Sequence, residues 1–303
     1  MDKPDWIGAE IDEARLRIWA MAGPTPVHAA ETTLGGATPA ATASTLGQAV
    51  IEALGTRLPG DRTLPVVACG LAPARGAAGF RPVPCTPLGD TLRPAPLRDL
   101  RLSLHLVPGL SQAQPTDAML GAETRIAGFL ARNPGWDGVL CLPGAQSRWV
   151  HLSAGEVVSF QTFLTGALTA LLEGHSILRD SVSGWEDAAF VDGVRAGMER
   201  PERLAARLFT LHAEALIEGQ PPAGGRARLS GLLIGAELAA AKPYWLGQRV
   251  AVLGAPRLAE QYARALADLA VPTSTCDDTE MTLAGLARAR ALIAPGPAPG
   301  TAH

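Results

Sequence analysis

Two segments of the chain share one pattern of apolar and polar positions. Residues 139–166 alternate through an apolar strand, a tight turn, a second strand, another turn, a third strand and the start of a helix. Residues 5–31 follow the same order, and in both segments the second strand carries an arginine and a tryptophan. A three-stranded meander at the head of each half predicts a duplicated architecture, with a ligand cleft between two similar lobes.

Periodic apolar spacing predicts the elements outside the meanders. Helices are predicted at 45–58, 118–132, 161–172, 185–198, 201–218, 227–241, 257–269 and 281–293, and strands at 65–69, 101–107 and 250–253. The proline-rich stretch 71–97 is typical of a binding loop, and the tail 295–303 is expected to be disordered. Strands followed by helices in both halves favour an α/β fold with mixed sheets. A length of 303 residues suits two domains, which we place at 1–134 and 135–303.

Composition and charge indicate which partners the protein binds and in which compartment it resides. The net charge of −3 and the pI near 6.1 give no electrostatic case for binding nucleic acid or an acidic membrane. The first residues lack the layout of a signal peptide, and no apolar run is long enough to span a bilayer. The four cysteines form no C-x-x-C pair, and Cys69 and Cys141 sit in apolar strands, so we expect buried thiols and no zinc site. These features predict a soluble, cytoplasmic protein.

Several short blocks of residues, in one order along the chain, resemble a known family. The blocks are VPGL (107–110), GAET (121–124), LPGAQSRWV (142–150), TFLTG (162–166), HSIL (175–178) and LSGLLIGAE (229–237). They resemble the 2-dehydro-3-deoxygalactonokinases, bacterial sugar-acid kinases, from end to end. The resemblance implies an actin-like sugar-kinase fold of two ribonuclease-H-like lobes, each a mixed sheet flanked by helices. It implies transfer of a phosphoryl group from Mg-ATP to a 2-keto-3-deoxy sugar acid in galactonate catabolism, and by analogy a homodimer.

The first phosphate-binding turn departs from the family pattern D-W-G-S/T-T/S-x-L-R. Aligned on Leu16-Arg17, this chain reads Glu10-Ile11-Asp12-Glu13-Ala14. The resemblance makes Glu10 the acid that anchors the metal, and the alternative is a polar residue at a strand end. Asp12 and Glu13 place carboxylates where phosphate oxygens should lie, and like charges about 4 Å apart repel by about 1 kcal/mol in water and about 4 kcal/mol at an effective dielectric near 20.

The second turn, P-G-T-H-x-K-W in the family, loses its polar residues too. Ala145 and Gln146 replace the threonine and histidine, and Arg148 replaces the lysine. Carboxylates and an arginine of two further family motifs are also missing at 120–124 and 165–167. Because the apolar framework matches while polar residues are replaced, we expect a family member with impaired or lost catalysis. The alternatives are a non-catalytic pseudokinase that binds a sugar acid or a protein partner, a working kinase with a remodelled phosphate site, and a paralogue without a ligand.

The resemblance also assigns candidate site residues, each with a structural alternative. Glu10 is expected to anchor the metal, and its alternative is a polar residue at a strand end. Glu123 is expected to face a sugar hydroxyl, and its alternative is an acid that stabilises the start of a helix. The glycines are expected on the nucleotide side, or else in helix packing and a strand-to-helix turn; the arginines are expected to hold anions. The catalytic candidates are Glu10 and Glu123; those on the nucleotide and phosphate side are Gly144, Arg148, Gly231, Gly235 and Gly254; those on the sugar-acid side are Arg75 and Thr165.

Overall fold

The computed structural model describes residues 3–12, 15–33, 43–71 and 79–293. Contacts along the chain divide it into two compact units. Unit 1 comprises Met1–Trp136, Gly155–Val157 and Thr279–His303, and unit 2 comprises Asp137–Ala154 and Val158–Asp278. The predicted boundary after residue 134 lies close to the first division, but the C-terminal helix, which the prediction placed in the second lobe, belongs to unit 1.

The strands of unit 1 form two sheets. They are β1 (Trp6–Asp12), β2 (Arg15–Ala22), β3 (Thr25–Thr33), β4 (Leu64–Cys69), β5 (Phe80–Pro82), β6 (Arg93–Ala95), β7 (Leu102–Leu106), β8 (Gly109–Gln112) and β9 (Asp117–Met119). The larger sheet has the order β3-β2-β1-β4-β7-β6, and the smaller one has the order β5-β8-β9. Since β1 pairs antiparallel with β2 and parallel with β4, the larger sheet is mixed, as predicted.

Helices cover both faces of this larger sheet. They are α1 (Ala43–Leu54), α2 (Ala122–Arg132) and the C-terminal α9 (Asp278–Ala291). Ile7 packs in one cluster with Val50 of α1, whereas Trp19 packs in another with Leu286 of α9. Strands buried on both faces are continuously apolar, which explains the run of buried residues through β1.

The sheet of unit 2 repeats the topology of the larger sheet of unit 1. Its strands are β10 (Gly138–Leu142), β11 (Ser147–Ser153), β12 (Glu156–Phe163), β13 (Val250–Gly254) and β14 (Thr273–Asp277), and the helices of unit 2 are α3 (Thr165–His175), α4 (Asp187–Glu199), α5 (Leu204–Glu218), α6 (Gly225–Ala240), α7 (Lys242–Trp245) and α8 (Pro256–Asp268). The strand order β12-β11-β10-β13-β14 places a meander beside two later parallel strands. The predicted α/β duplication is therefore confirmed.

Helices α4 and α6 pack with their backbones in contact, through two glycines on each. Gly193 and Gly197 of α4 face Gly231 and Gly235 of α6. A Cβ atom added at Gly235 would lie 2.2 Å from the carbonyl oxygen of Val194. The two glycines that the resemblance assigned to the nucleotide thus face α4, and close helix packing accounts for them.

We expect Gly235→Ala to lower the free energy of unfolding by about 1–3 kcal/mol, because the helices must separate to accept the methyl group. The matched control is Gly174→Ala in α3, where an added Cβ meets nothing within 4 Å. That change should stabilise the protein by up to about 1 kcal/mol through helix propensity. Urea unfolding followed by circular dichroism measures both, and equal stabilisation by the two changes would contradict the packing argument.

Several elements differ from the sequence prediction. Residues 161–163 continue β12, so α3 begins only at Thr165, and the helix predicted from residue 118 begins at Ala122. The strands that were not predicted are β5, β6, β8, β9 and β14. Glu13, Ala14, Arg75 and the predicted disordered tail lie outside the described residues. Within the described part of the chain, no helix is both long and apolar enough to cross a membrane. The cytoplasmic location stays a prediction.

Candidate functional site

Glu10, near the carboxyl end of β1, is the centre of a buried ion-pair network in unit 1. Its side chain is almost fully buried, with 1% exposed. Oε2 accepts hydrogen bonds from Nε of Arg17, at 2.8 Å, and from Nη2 of the same residue. Oε1 accepts from Nε of Arg125, at 2.9 Å, and from the hydroxyl of Thr282, at 3.3 Å. Both carboxylate oxygens are therefore engaged by cationic or hydroxyl donors.

The Arg125 guanidinium bridges two carboxylates. Its Nη2 lies 2.8 Å from Oε1 of Glu10 and 2.9 Å from Oδ2 of Asp12. Burial alone would lower the pKa of Arg125, but Glu10 and then Asp12 raise it above its usual value. Arg125 is thus a permanent cation that offsets the like charges of the two acids. The resemblance aligns Asp12 with the glycine of the family turn, and Arg125 neutralises the carboxylate that stands at this position.

Glu123 contributes a further buried acid close to this network. It stands in the first turn of α2, fully buried, and Oε1 accepts the backbone N–H of Gly121 at 2.9 Å. Burial raises the pKa of the Cys69 thiol, and the charges of Glu10 and Glu123 raise it further. Cys69 at the end of β4 is therefore a neutral thiol near two carboxylates. The carboxyl ends of β1 and β4 and the start of α2 bring the two predicted catalytic acids into one neighbourhood.

A divalent cation does not fit Glu10 in this arrangement. Magnesium needs carboxylate oxygens that are open to it, together with water or phosphate ligands. Here Arg17 and Arg125 hold both oxygens of Glu10. In the described ranges, no group of three or more His, Cys, Asp or Glu side chains is placed to hold a metal. The geometry thus differs from the metal-anchoring part that the resemblance implied for Glu10.

Unit 2 contains a cavity of about 480 Å³, within the size range of small-molecule sites. The turn after β10 and the amino-terminal ends of α3, α6 and α8 all contribute to its lining. Residues from these four segments include Gly144, Thr165, Arg226, Ser230, Ala255 and Arg257. The amino-terminal ends of helices favour anions, so an anionic group is well suited to this cavity.

The cavity brings together some of the predicted nucleotide and sugar-acid residues but not all. Gly144 and Thr165 line it. Gly254 directly precedes the lining residue Ala255, and a Cβ added at Gly254 would lie 3.0 Å from Cγ of Pro143. Arg148 on β11 donates from Nη1 to the carbonyl oxygen of Gln146, at 3.3 Å, within the second turn. The assignment of these residues to ligands stays a prediction.

A larger cavity, of about 870 Å³, lies in unit 1 beside the beginning of β1. Lys3, His28 and Arg57 are among its lining residues. None of the predicted site residues within the described ranges lines it. The chemistry-bearing residues are instead at the opposite, carboxyl end of β1, so we do not place the candidate site in the larger cavity.

Glu237 on α6 forms a buried polar centre within unit 2. Its carboxylate, 3% exposed, accepts three hydrogen bonds from side chains. The donors are the hydroxyl of Ser147 at 2.6 Å, the indole N–H of Trp149 at 2.8 Å and the hydroxyl of Tyr262 at 2.7 Å. Glu237 therefore ties α6 to β11 and α8.

The burial of Tyr262 predicts a loss of stability at alkaline pH. Burial raises the pKa of Tyr262 well above its usual value, and Glu237 and Cys141 raise it further. The stabilising contribution of the neutral hydroxyl is complete below the unfolded-state pKa and is lost as the pH rises. Between about pH 10 and pH 11, this single group should remove about 1 kcal/mol of unfolding free energy. Tyr262→Phe should reduce that loss in urea titrations at the two pH values.

Tyr244→Phe is the control, because Tyr244 is the second of the two tyrosines of the chain and is only partly buried. It should leave the alkaline loss as large as in the natural protein. An equal loss in both variants would contradict the assignment to Tyr262.

Several contributors to these two sites were not predicted from the sequence. Arg125 directly follows the GAET block, a position that could have drawn attention to it. Thr282 comes from the C-terminal helix, 272 positions from Glu10 along the chain, and nothing in the sequence signals that contact. Arg226 and Arg257 are each the second residue of a helix, a position from which a cation can reach an anion held at the helix start.

A family model matches most of the chain, and two curated relatives match half of it or more. Residues 13–289 match the model of the 2-keto-3-deoxy-galactonokinases. The chain is 32% identical over 243 residues to a protein of Rhizobium meliloti (strain 1021) named a probable 2-dehydro-3-deoxygalactonokinase; this covers 77% of the chain and 79% of the relative. It is 31% identical over 155 residues to the 2-dehydro-3-deoxygalactonokinase of Escherichia coli (strain K12), covering 50% and 52% of the two chains.

Solved structures show the same architecture. A crystal structure of a Sinorhizobium meliloti protein, provisionally assigned as a 2-dehydro-3-deoxygalactonokinase, has a TM-score of 0.84 at 28% identity and covers 98% of this chain and 100% of its own. A protein of Porphyromonas gingivalis, provisionally assigned as an N-acetylglucosamine kinase, has a TM-score of 0.50 at 12% identity, covers 94% of this chain and 99% of its own, and shares the fold alone.

Proposed function

The chain belongs to the 2-keto-3-deoxy-galactonokinase family, and on this basis we propose that it binds a nucleotide and a 2-keto-3-deoxy sugar acid but transfers phosphate poorly or not at all. The observation that supports the proposal best is the engagement of both Glu10 oxygens by Arg17 and Arg125. The family reaction would take the phosphoryl group from Mg-ATP and add it to a hydroxyl of the sugar acid.

Phosphoryl transfer depends on positioning and on neutralising the charge that develops on the transferred group. In this chain, the first turn adds the Asp12 carboxylate. The nearby Arg125 guanidinium is already bound by two acids. Arg17 and Arg125 therefore neutralise Glu10 and Asp12, which leaves little positive charge there for a phosphate and no open oxygen of Glu10 for a metal.

The parts that bind substrates are better preserved than the parts that transfer phosphate. The cavity of unit 2 has room for a nucleoside and lies at the helix ends that favour anions. We therefore favour a weakened kinase, which retains ligands, over a paralogue that has lost them.

The test is ADP release by the full-length protein with Mg-ATP and 2-dehydro-3-deoxygalactonate, at high enzyme concentration. The Escherichia coli family member is the positive control. We expect turnover to be lower than that of the control by more than about a hundredfold, because removing a single electrostatic contact of this kind typically costs that much. Sugar-acid-dependent turnover within a hundredfold of the control would overturn the proposal. No turnover above background would favour the non-catalytic alternative, in which the protein binds a sugar acid or a regulatory partner.

A further inference from the structure

The cavity of unit 2 contains its own cations. Arg226 and Arg257 line it from the first turns of α6 and α8. Nε of Arg226 lies 3.4 Å from a carboxylate oxygen of Glu173, and the Arg257 guanidinium lies 5.6 Å from the ring centre of Trp185. Two arginines and one glutamate leave a net charge of +1 around the lining. The cavity is therefore cationic without any added ion.

Two side-chain hydroxyls belong to the same lining. Thr165 is 7% exposed and Ser230 is 8% exposed, and both line the cavity. Neither hydroxyl oxygen is among the enclosed side-chain atoms without a partner in the described part of the chain. A hydroxyl donates readily to an anionic oxygen, so a ligand with such oxygens suits both.

Unit 1 supplies the complementary observation. Arg125 occupies the space between Glu10 and Asp12 where two carboxylates would otherwise attract a divalent cation. A kinase normally depends on such a cation to neutralise the phosphates of its nucleotide. Here Glu10 and Asp12 are already paired with Arg125, whereas Arg226 and Arg257 are exposed beside the cavity of unit 2.

We propose that this protein binds a nucleoside phosphate as the metal-free anion, with Arg226, Arg257, Thr165 and Ser230 replacing the divalent cation. This inference rests on the proposed function, which supplies the nucleotide as the ligand class. Fixed arginines and hydroxyls bind the phosphate oxygens directly, so a bound metal is not needed and would compete with the arginines for them. Glu173 opposes the anion, since it holds Arg226 in an ion pair.

Calorimetry with ADP, in excess Mg²⁺ and again in excess EDTA, tests the proposal on the full chain. We expect the two dissociation constants to differ by less than about threefold. Arg226→Gln and Arg257→Gln should each weaken ADP binding by about tenfold or more, the usual loss when a charged hydrogen-bond donor is removed. Glu173→Gln should strengthen it. Arg228→Gln is the matched control, because Arg228 lies on the same helix but pairs with Glu214, outside the cavity lining.

The outcomes separate this inference from the proposed function. ADP binding that requires Mg²⁺, with turnover still absent, would overturn the inference and leave the weakened kinase standing. ADP binding in neither condition, or equal affinity in the Arg226, Arg257 and Arg228 variants, would also overturn it. Binding of 2-dehydro-3-deoxygalactonate, and not ADP, that depends on Arg226 and Arg257 would make the cavity a sugar-acid site and overturn the nucleotide assignment. Rapid Mg²⁺-dependent phosphoryl transfer would overturn both proposals.

Discussion

Replacement of Arg125 by methionine is expected to lower the free energy of unfolding by about 3–5 kcal/mol, the usual cost of removing one partner from a buried ionic network. The methionine would fill much of the volume but would leave Glu10 and Asp12 with like charges. Arg17 would still pair with Glu10, and Arg15 with Asp12. Glu10 cannot take up water freely in compensation, because its side chain is only 1% exposed. Urea unfolding followed by circular dichroism measures the loss.

Two comparisons separate charge from packing. Arg125→Met combined with Asp12→Asn should recover part of the lost stability, because it removes the negative charge that Arg125 no longer neutralises beside Glu10. Arg101→Met is the surface control: Arg101 pairs with Asp99 in an exposed ion pair, which contributes little to stability. If the double variant were no more stable than Arg125→Met, lost packing and not uncompensated charge would explain the effect.

The response of Arg125→Met to Mg²⁺ is a measurement that a purely structural role of Arg125 would not affect. With Arg125 absent, Oε1 of Glu10 and Oδ2 of Asp12 lose the cation that lies between them, so a divalent cation can take its place. A ligand that binds only the folded state raises its stability. Mg²⁺ should therefore raise the melting temperature of Arg125→Met and leave that of the natural protein unchanged. An equal response of the two proteins to Mg²⁺ would contradict the view that Arg125 replaces a metal.

The duplicated fold was predictable because the pattern of each meander lies within one short stretch of the sequence. Strands that are buried on both faces are apolar along their whole length, and tight turns separate them in sequence. Sequence patterns failed where local signals are ambiguous. An apolar run such as residues 161–172 suits a strand and a helix equally. Residues 273–277 are mostly polar and carry no apolar run, so the pattern offered no sign of β14.

The candidate site was only partly predictable, for a related reason. Motif resemblance led to Glu10 and the second turn, which stand beside strand ends that the pattern already placed, and to Glu123, which lies in a predicted helix. The partners that decide their chemistry come from distant elements: Arg125 from α2 and Thr282 from α9. The sequence also does not show what each side of a helix faces. Gly231 and Ser230 are neighbours in sequence, yet Gly231 faces α4 and Ser230 faces the cavity.

Glu237→Met should destabilise unit 2 by about 3 kcal/mol or more. Ser147, Trp149 and Tyr262 would each keep a buried donor without its acceptor, and an unsatisfied buried donor costs about 1–3 kcal/mol. The three donors lie on β11 and α8, so the loss spreads over several elements that α6 ties together. Chemical unfolding is the measurement, and Glu218→Met, at the exposed end of α5, is the control.

Removing the acceptor is expected to cost more than removing any one donor, and this asymmetry identifies the role of Glu237. Tyr262→Phe deletes one hydrogen bond but leaves the carboxylate with two, so its cost should be about 1 kcal/mol. In the Glu237→Met background, Tyr262→Phe should instead be neutral or stabilising, because it removes a donor that has lost its acceptor. A double-mutant cycle measures this coupling. Additive effects would mean that Tyr262 is stabilised by its packing, and that the hydrogen bond to Glu237 contributes little to holding α8 against α6.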